Sequence, residues 1–184
     1  MRNFLLGAIA IGLTGASTAP SWAQATQPVD GLSPNQFTQI FEDLGASVNL
    51  RRAGGFYISS SFEGLEFFIL PFRCIDTNPR RSRTDADDLK CTAVRFLAVY
   101  RGDVPDLDVI NQYNRSHALT RAYASDGRLF LNFDLFLSGA NNLVLAEALG
   151  SFVDSNESLR AIVASESYDL SIPPPELDPA AYGD

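Results

Sequence analysis

The sequence has few of the residues on which most catalytic and metal sites depend. Among 184 residues there are one histidine and two cysteines, so a Ser–His–acid triad would have to use His117. No Gly-x-Ser-x-Gly segment is present, and no helix follows Gly54-Gly55 to cradle a phosphate. The sequence therefore predicts no catalytic residues, no cofactor, no metal site and no enzymatic activity.

Basic residues are also scarce. The chain has 14 Lys and Arg against 22 Asp and Glu, a formal net charge of −8. An acidic domain repels phosphate backbones, so nucleic acid is a poor partner.

Long apolar runs are confined to the N-terminus. Residues 4–13 are almost wholly apolar, Arg2 precedes them, and small residues lead to Ala23-Gln24-Ala25. These parts are typical of a secretion signal, here residues 1–25, cleaved after Ala23 or Ala25. The run is shorter than the roughly 20 residues that span a bilayer, although an uncleaved anchor is the alternative. We expect a periplasmic or secreted bacterial protein with no membrane span after cleavage.

The rest of the chain is predicted to be one domain followed by a tail. Residues 31–166 are enough for one hydrophobic core. Residues 167–184 are rich in proline and lack apolar periodicity, so they are predicted to be extended or disordered.

The two cysteines, Cys74 and Cys91, flank a polar and charged segment. In an exported protein two cysteines most simply form a disulfide. The spacing is not the Cys-x-x-Cys of redox-active pairs. Free thiols, and redox or metal chemistry, are the alternatives.

Three helices are predicted from capping residues and apolar spacing. The first begins after Ser33, carries an apolar stripe from Phe37 to Leu44 and ends at Gly45. The second runs from Asp106 to about His117, with Leu107, Ile110 and either Tyr113 or Asn114 on one side. The third is capped by Asn141, and a shorter helical piece follows over 158–164.

Strands are predicted by short β-rich segments between turn signals. They cover 48–52, 56–60, 65–74, 93–100, 120–125 and 128–137. Asp126-Gly127 is a strong hairpin signal, and the last strand alternates with Leu129, Leu131 and Leu135 on one face. The predicted fold is α+β, an antiparallel sheet of about five to six strands with helices on one side, in the order α-β-β-β-β-α-β-β-α.

That order, with the segments 107–114 (Asn111 to Asn114 at the helix end), Arg121-Ala-Tyr123, Asp126-Gly127 and the strand to Gly139, resembles the YbjN-domain family of bacterial sensory transduction regulators. The resemblance covers most of the predicted domain. It implies a type III secretion chaperone-like fold, binding of protein segments and, in many members, dimers, and it brings no catalytic motif. The export signal and the cysteine pair are departures from a cytoplasmic chaperone.

Asn111 and Asn114 have two interpretations. Their amides would bond backbone groups where the helix turns into the next strand, which is the favoured reading. The alternative is that they line a ligand groove.

Other polar residues are candidates of a weaker kind. His117 follows Ser116 but is expected to bond the terminal carbonyls of its helix. Asp85, Asp87 and Asp88 lack the glycine and final glutamate of a calcium hand, so with Arg80, Arg81 and Arg83 they are expected to form a solvated loop. A partner-binding or phosphate-sensing loop is the alternative.

Phe130 and Phe136 lie on the strand face opposite the predicted core. They would belong to a second apolar layer or to a homodimer surface. The leading hypothesis is a non-enzymatic exported binding or regulatory module of the YbjN type that binds an unknown protein segment or envelope ligand. The alternatives are a dimeric periplasmic chaperone or stability factor and, less favoured, a small periplasmic hydrolase using Ser116 and His117.

Overall fold

The computed structural model of the protein describes residues 29–53, 55–80, 85–165 and 170–171. The predicted signal peptide, residues 1–25, lies outside these residues. So does the predicted tail apart from Leu170 and Ser171, and so do Gly54, Arg81 and Arg83.

The architecture is an α+β fold in which one antiparallel sheet carries helices on one face, as the sequence predicts. The strands are β1 (Ser47–Ala53), β2 (Gly55–Phe62), β3 (Leu65–Asp76), β4 (Leu89–Gly102), β5 (Arg121–Ser125), β6 (Arg128–Phe136) and the short β7 (Leu170–Ser171). The order of the strands in the sheet is β1-β2-β3-β4-β6-β5. The helices are α1 (Pro34–Asp43), α2 (Leu107–Ser116) and α3 (Asn142–Ser165), with a 3₁₀ turn at Ala86–Asp88.

Helix α1 begins with the capping box that the sequence predicts. Ser33 Oγ accepts a hydrogen bond from the Gln36 backbone N–H at 3.2 Å, and Gln36 Oε1 accepts one from the Ser33 N–H at 2.8 Å. Both donors would otherwise lack an intrahelical partner. Gly45, with a φ of +90°, follows the helix and turns the chain toward β1.

Two tight turns set the register of the hairpins. Glu63-Gly64 and Asp126-Gly127 all have positive φ, which matches the right-handed twist of the flanking strands. The Asp126-Gly127 turn joins β5 to β6 with Ser125 opposite Arg128. The predicted β5–β6 hairpin is therefore confirmed.

Strand β4 is the centre of the sheet and is longer than the predicted 93–100. It pairs with β3 on one side and β6 on the other. Its first residues are held by β3, where Cys91 lies opposite Cys74. Its last residues, Arg101 and Gly102, pair with β7, which lies in the segment predicted as an extended or disordered tail.

Helix α3 differs from the sequence prediction because it is continuous through 158–164. Gly150 lies inside it, but the buried residues Leu149, Phe152 and Leu159 hold both halves against the sheet. Tertiary packing overrides weak helix propensity here. In α2, Ile110 and Tyr113 lie on the buried side, as predicted. Leu107 is 71% exposed, so its predicted place on that side is wrong.

The main core lies between the inner face of the sheet and the three helices. Phe96 is at its centre, with ring centroids 5.6 Å from both Phe41 and Phe152 and 5.9 Å from Phe133. No helix in the described part of the chain is long and apolar enough to cross a membrane.

Candidate functional site

The outer face of the sheet carries a second apolar cluster, separate from the main core. All its members belong to strands, and it crosses five of them. We call it the outer belt, defined as Tyr57, Phe68, Leu70, Leu97, Val99, Tyr123 and Phe130. The period-two alternation of the strands places these side chains on the face away from the helices.

Aromatic pairs form both ends of the outer belt. Tyr123 and Phe130 stack with ring centroids 5.0 Å apart, and Tyr57 meets Phe68 edge to face at 5.9 Å. Leu97 and Val99 of β4 lie between the pairs. Flat aromatic faces of this kind accept proline rings and extended apolar side chains.

Charged side chains lie beside the outer belt. Arg95 bonds Asp134 in a two-pronged pair, at 2.6 Å from Nε and 2.9 Å from a terminal nitrogen. The hydrogen bonds and the charge of Asp134 raise the pKa of the Arg95 guanidinium, against the lowering by burial. Strand alternation puts Arg121 and Arg128 on the same face, two residues before Tyr123 and Phe130.

One polar atom on this face has no partner in the described residues. Asn132 lies on β6 between Phe130 and Asp134, and its Oδ1 atom is buried without a hydrogen bond. An unsatisfied buried acceptor is costly. The N–H group of a segment lying across the outer belt would satisfy it.

Of the two interpretations for Asn111 and Asn114, the structure supports backbone hydrogen bonding for Asn114. Its amide bonds the Ala122 backbone on β5, donating to the carbonyl at 2.9 Å and accepting from the N–H at 2.8 Å. Asn114 therefore ties the end of α2 to the sheet, as the favoured reading predicts. Asn111 is exposed on the same helix.

Ser116 and His117 are adjacent, but their hydrogen bonds do not form a catalytic dyad. His117 Nδ1 lies 3.0 Å from both Ser116 Oγ and the Tyr113 carbonyl oxygen. A carbonyl only accepts, so Nδ1 carries the proton when it makes that bond and cannot take one from Ser116. His117 bonds the terminal carbonyl of α2, as predicted from the sequence.

The acidic loop is tied to the start of α1. Asp87 Oδ1 accepts hydrogen bonds from Asn35 Nδ2 at 2.9 Å and from Ser33 Oγ at 3.5 Å. In the described residues, no group of three or more His, Cys, Asp or Glu side chains could hold a metal ion. Asp85 directly precedes the 3₁₀ turn, Asp88 is its last residue, and Arg80 is exposed.

Cys74 and Cys91 form a disulfide with an S–S distance of 2.03 Å, as predicted. It joins the end of β3 to the start of β4 and closes the charged loop between them. The bond is consistent with an oxidising compartment.

The two phenylalanines of the outer strand face have different environments. Phe130 is buried in the outer belt, whereas Phe136 is 54% exposed. Phe136 meets Phe72 edge to face at 6.3 Å, and the Arg73 guanidinium lies 4.9 Å from its ring centroid. The alternation of the sequence predicts that both rings lie on this face, and only the structure shows that Phe130 is buried and Phe136 is exposed.

Hydrogen bonds inside the core involve two tyrosines. Tyr100 donates to Asn156 on α3, and both are buried. The Tyr113 hydroxyl lies 2.6 Å from Thr120 Oγ1. Burial raises the pKa of both phenols.

No protein-family model matches the sequence, and no curated protein is significantly similar to it.

Proposed function

We propose that this protein is a non-enzymatic, exported binding or regulatory module of the YbjN type, acting in the bacterial periplasm or outside the cell. Its outer belt would bind an extended segment of a partner protein. The observation that carries the proposal is an apolar cluster that crosses five strands of the outer face. The partly buried rings of Tyr57 and Tyr123 lie at its two ends, and the Arg95 guanidinium lies beside it.

The dimensions of the outer belt suit such a segment. Neighbouring strands lie about 4.8 Å apart, so five strands make a surface roughly 20 Å wide. An extended segment of about six residues covers that width. Arginines beside the belt favour acidic residues in the segment, and the aromatic rings favour proline or apolar side chains.

The predicted export signal and the disulfide support the proposed periplasmic or extracellular location. The disulfide fits an oxidising space, and residues 1–25 have the composition of a cleavable signal. The resemblance to YbjN-domain proteins supports a regulatory role without catalysis.

The test is to identify the bound segment in the native envelope and then measure its affinity. The exported protein with a photo-crosslinking residue at Arg121 would capture the segment, which is then synthesised as a peptide. We expect Tyr123→Ala to weaken peptide binding about tenfold, the scale of a lost aromatic anchor. The matched control is Leu143→Ala, at a side chain 52% exposed outside the outer belt.

Two results would contradict this function. One is equal peptide affinity in Tyr123→Ala and the unchanged protein. The other is turnover of a substrate by the exported protein that Ser116→Ala abolishes, which would support the hydrolase instead.

A dimeric chaperone or stability factor is the second candidate, favoured by the exposed ring of Phe136 beside Phe72. Exposed aromatic surface next to a buried belt is typical of protein contacts. Light scattering should then give a dimer that Phe136→Ser dissociates. A monomer over a wide range of protein concentration would exclude this candidate.

A further inference from the structure

We propose that the edge of β1 accepts an extended strand of a partner protein, which then joins the sheet as an additional strand. The partner strand would alternate apolar with polar residues and carry an acidic residue beside Arg51. We call this surface the β1 edge, defined as the side of Ser47–Ala53 that faces away from β2. It lies next to the outer belt but offers backbone hydrogen-bonding groups instead of aromatic rings, so it is a second binding surface.

The two edge strands of the sheet, β1 and β5, differ in what lies beside them. At β5, Asn114 donates to the Ala122 carbonyl at 2.9 Å and accepts from the Ala122 N–H at 2.8 Å. This amide therefore occupies backbone groups that a further strand would need. Within residues 29–53, 55–80, 85–165 and 170–171, β1 pairs with β2 alone, so the backbone groups of the β1 edge are available to a new strand.

The β1 edge is regular along its whole length. All seven residues of β1 lie opposite consecutive residues of β2, from Ser47 opposite Ser61 to Ala53 opposite Gly55. Edge strands that avoid further pairing are often very short or are interrupted by a proline or a bulge. Because β1 has neither interruption, it can pair with a partner strand of ordinary length.

On the helix side of the sheet, β1 leaves apolar area at the border of the main core. Val48 and Leu50 are half-buried, and Leu50 lies opposite the buried Ile58. Helix α1 packs against β1, and its Ile40 and Leu44 are also half-buried against the main core. A strand added beside β1 points alternate side chains to this side. Apolar residues at those positions would cover Val48 and Leu50, which stabilises the added strand.

The opposite side of β1 is polar and carries a positive charge. Ser47, Asn49 and Arg51 are exposed there, since they alternate with Val48 and Leu50. Among the described residues, Arg51 has no ion pair. Opposite charges on neighbouring strands stabilise a sheet, so the partner residue beside Arg51 would be acidic.

The charges of β1 also argue against a second copy of the chain as the occupant. β1 holds Arg51 and Arg52 and no acidic residue, so pairing two copies through this edge would place their arginines along one seam. Like charges on neighbouring strands destabilise a sheet. The same two arginines therefore disfavour self-association and favour an acidic partner strand.

The pattern of the partner strand follows from the two sides of β1. The strand would be apolar beside Val48 and Leu50, polar beside Asn49 and acidic beside Arg51. Main-chain hydrogen bonds supply affinity in this mode of recognition, and alternate side chains supply selectivity. A strand with this pattern would bind without contact to Tyr123, which lies on β5 at the other edge of the sheet.

The experiment measures binding of the synthetic peptide Thr-Val-Glu-Val-Thr-Val-Thr to the exported full chain, together with amide hydrogen exchange by NMR. Valine alternates with polar residues in this peptide, and antiparallel pairing with β1 places its glutamate beside Arg51. We expect saturating peptide to slow amide exchange in Ser47–Ala53, because the added strand hydrogen-bonds the outward amides of β1. Exchange in Arg121–Ser125 is the control and should stay unchanged.

N-methylated peptides test for strand pairing without a change to the protein. Alternate amides of an added strand face β1 and the others face solvent. One peptide is N-methylated on its valines and another on its glutamate and central threonine, and we expect one of the two to lose binding while the other keeps it. Equal affinities of these peptides, no binding of the unmethylated peptide, or binding that leaves exchange in Ser47–Ala53 unchanged would overturn the proposal. A dimer in light scattering that protects β1 before any peptide is added would assign the edge to a second copy.

Charge reversal at Arg51 tests the preference for an acidic residue. We expect Arg51→Glu to weaken binding of the glutamate peptide about fivefold, the scale of an attraction between strands turned into a repulsion. The same variant should bind more tightly a peptide with lysine in place of the glutamate. Arg115→Glu, at an exposed residue of α2, is the matched control and should change neither affinity. Unchanged affinities in Arg51→Glu would overturn the acidic assignment.

The β1 edge and the outer belt can be tested separately. Tyr123→Ala, which should weaken binding at the outer belt, should leave the affinity of the glutamate peptide unchanged. Strand addition at β1 and segment binding at the outer belt therefore fail independently.

Discussion

The inner and outer faces of the sheet are both apolar, but they are built for different purposes. The inner face is covered by α1, α2 and α3, and its aromatic rings pack on one another around Phe96. The outer face carries a narrower apolar belt beside an ion pair and an unsatisfied amide oxygen. Packing against helices fixes the fold, whereas a belt of strand residues beside polar groups suits a replaceable segment.

The comparison also explains why the two faces should respond differently to substitution. Removing a ring from the inner face leaves a cavity, because the helices around it cannot collapse. Removing a ring from the outer belt would remove area that the proposed partner segment contacts. Stability should therefore depend mainly on the inner face and binding mainly on the outer face.

The largest expected effect is at Phe96 on the inner face. We expect Phe96→Ala to lower the free energy of unfolding by about 3–5 kcal/mol, because the ring is fully buried among other rings. Urea unfolding measures it, with Phe136→Ala as the control at an exposed ring. Equal losses in the two variants would contradict the division between the faces.

The next effect concerns the disulfide that joins β3 and β4. We expect the double variant Cys74→Ala/Cys91→Ala to lose about 3 kcal/mol of stability, since a cross-link of this span restricts the unfolded chain. A reductant should destabilise the unchanged protein and leave the double variant unaffected. Two titratable thiols in protein from its natural compartment would refute the bond there.

A smaller effect is expected at Tyr100, which bonds Asn156 beneath α3. Asn156→Leu should cost about 1–3 kcal/mol, because the buried hydroxyl loses its partner. Burial raises the pKa of this phenol, so its contribution is complete below the ordinary tyrosine pKa and falls as pH rises above about 10. Tyr100→Phe should therefore reduce the alkaline loss of stability in unfolding measured from pH 7 to 11. An identical alkaline slope would disprove this assignment.

The smallest effect is expected for the ion pair on the outer face. Arg95→Ala should cost about 0.5–1 kcal/mol, since Arg95 and Asp134 are partly exposed and water screens their attraction. The loss should shrink in 1 M salt. A double-mutant cycle with Asp134→Ala measures the coupling, and a value above that for the Tyr100–Asn156 pair would reverse the order of the two faces.

Sequence reasoning predicted the elements that local signals determine. The capping box at Ser33, the turn at Asp126-Gly127 and the alternation from Leu129 to Leu135 are short-range patterns, and the structure confirms them. The disulfide followed from compartment and cysteine number. These features need no knowledge of distant residues.

Features that depend on distant contacts were harder to predict. The continuity of α3 past Gly150 comes from packing against β4 and β6, and the exposure of Leu107 is decided by which side of α2 packs in the core. Of the outer belt, the sequence indicated only Phe130, on one strand. Its other members come from four further strands, whose order in the sheet has no local sequence signal.

The place of β4 in the sheet has a consequence for folding in the proposed export. A chain that emerges from its N-terminus releases β4 and then β5 before β6, yet β6 is the strand that lies between them. The second edge of β4 therefore stays open until residue 136 has emerged, and an open strand edge attracts other chains. Productive folding therefore depends on the emergence of the last third of the sequence, which contains β6 and lets it pair with β4.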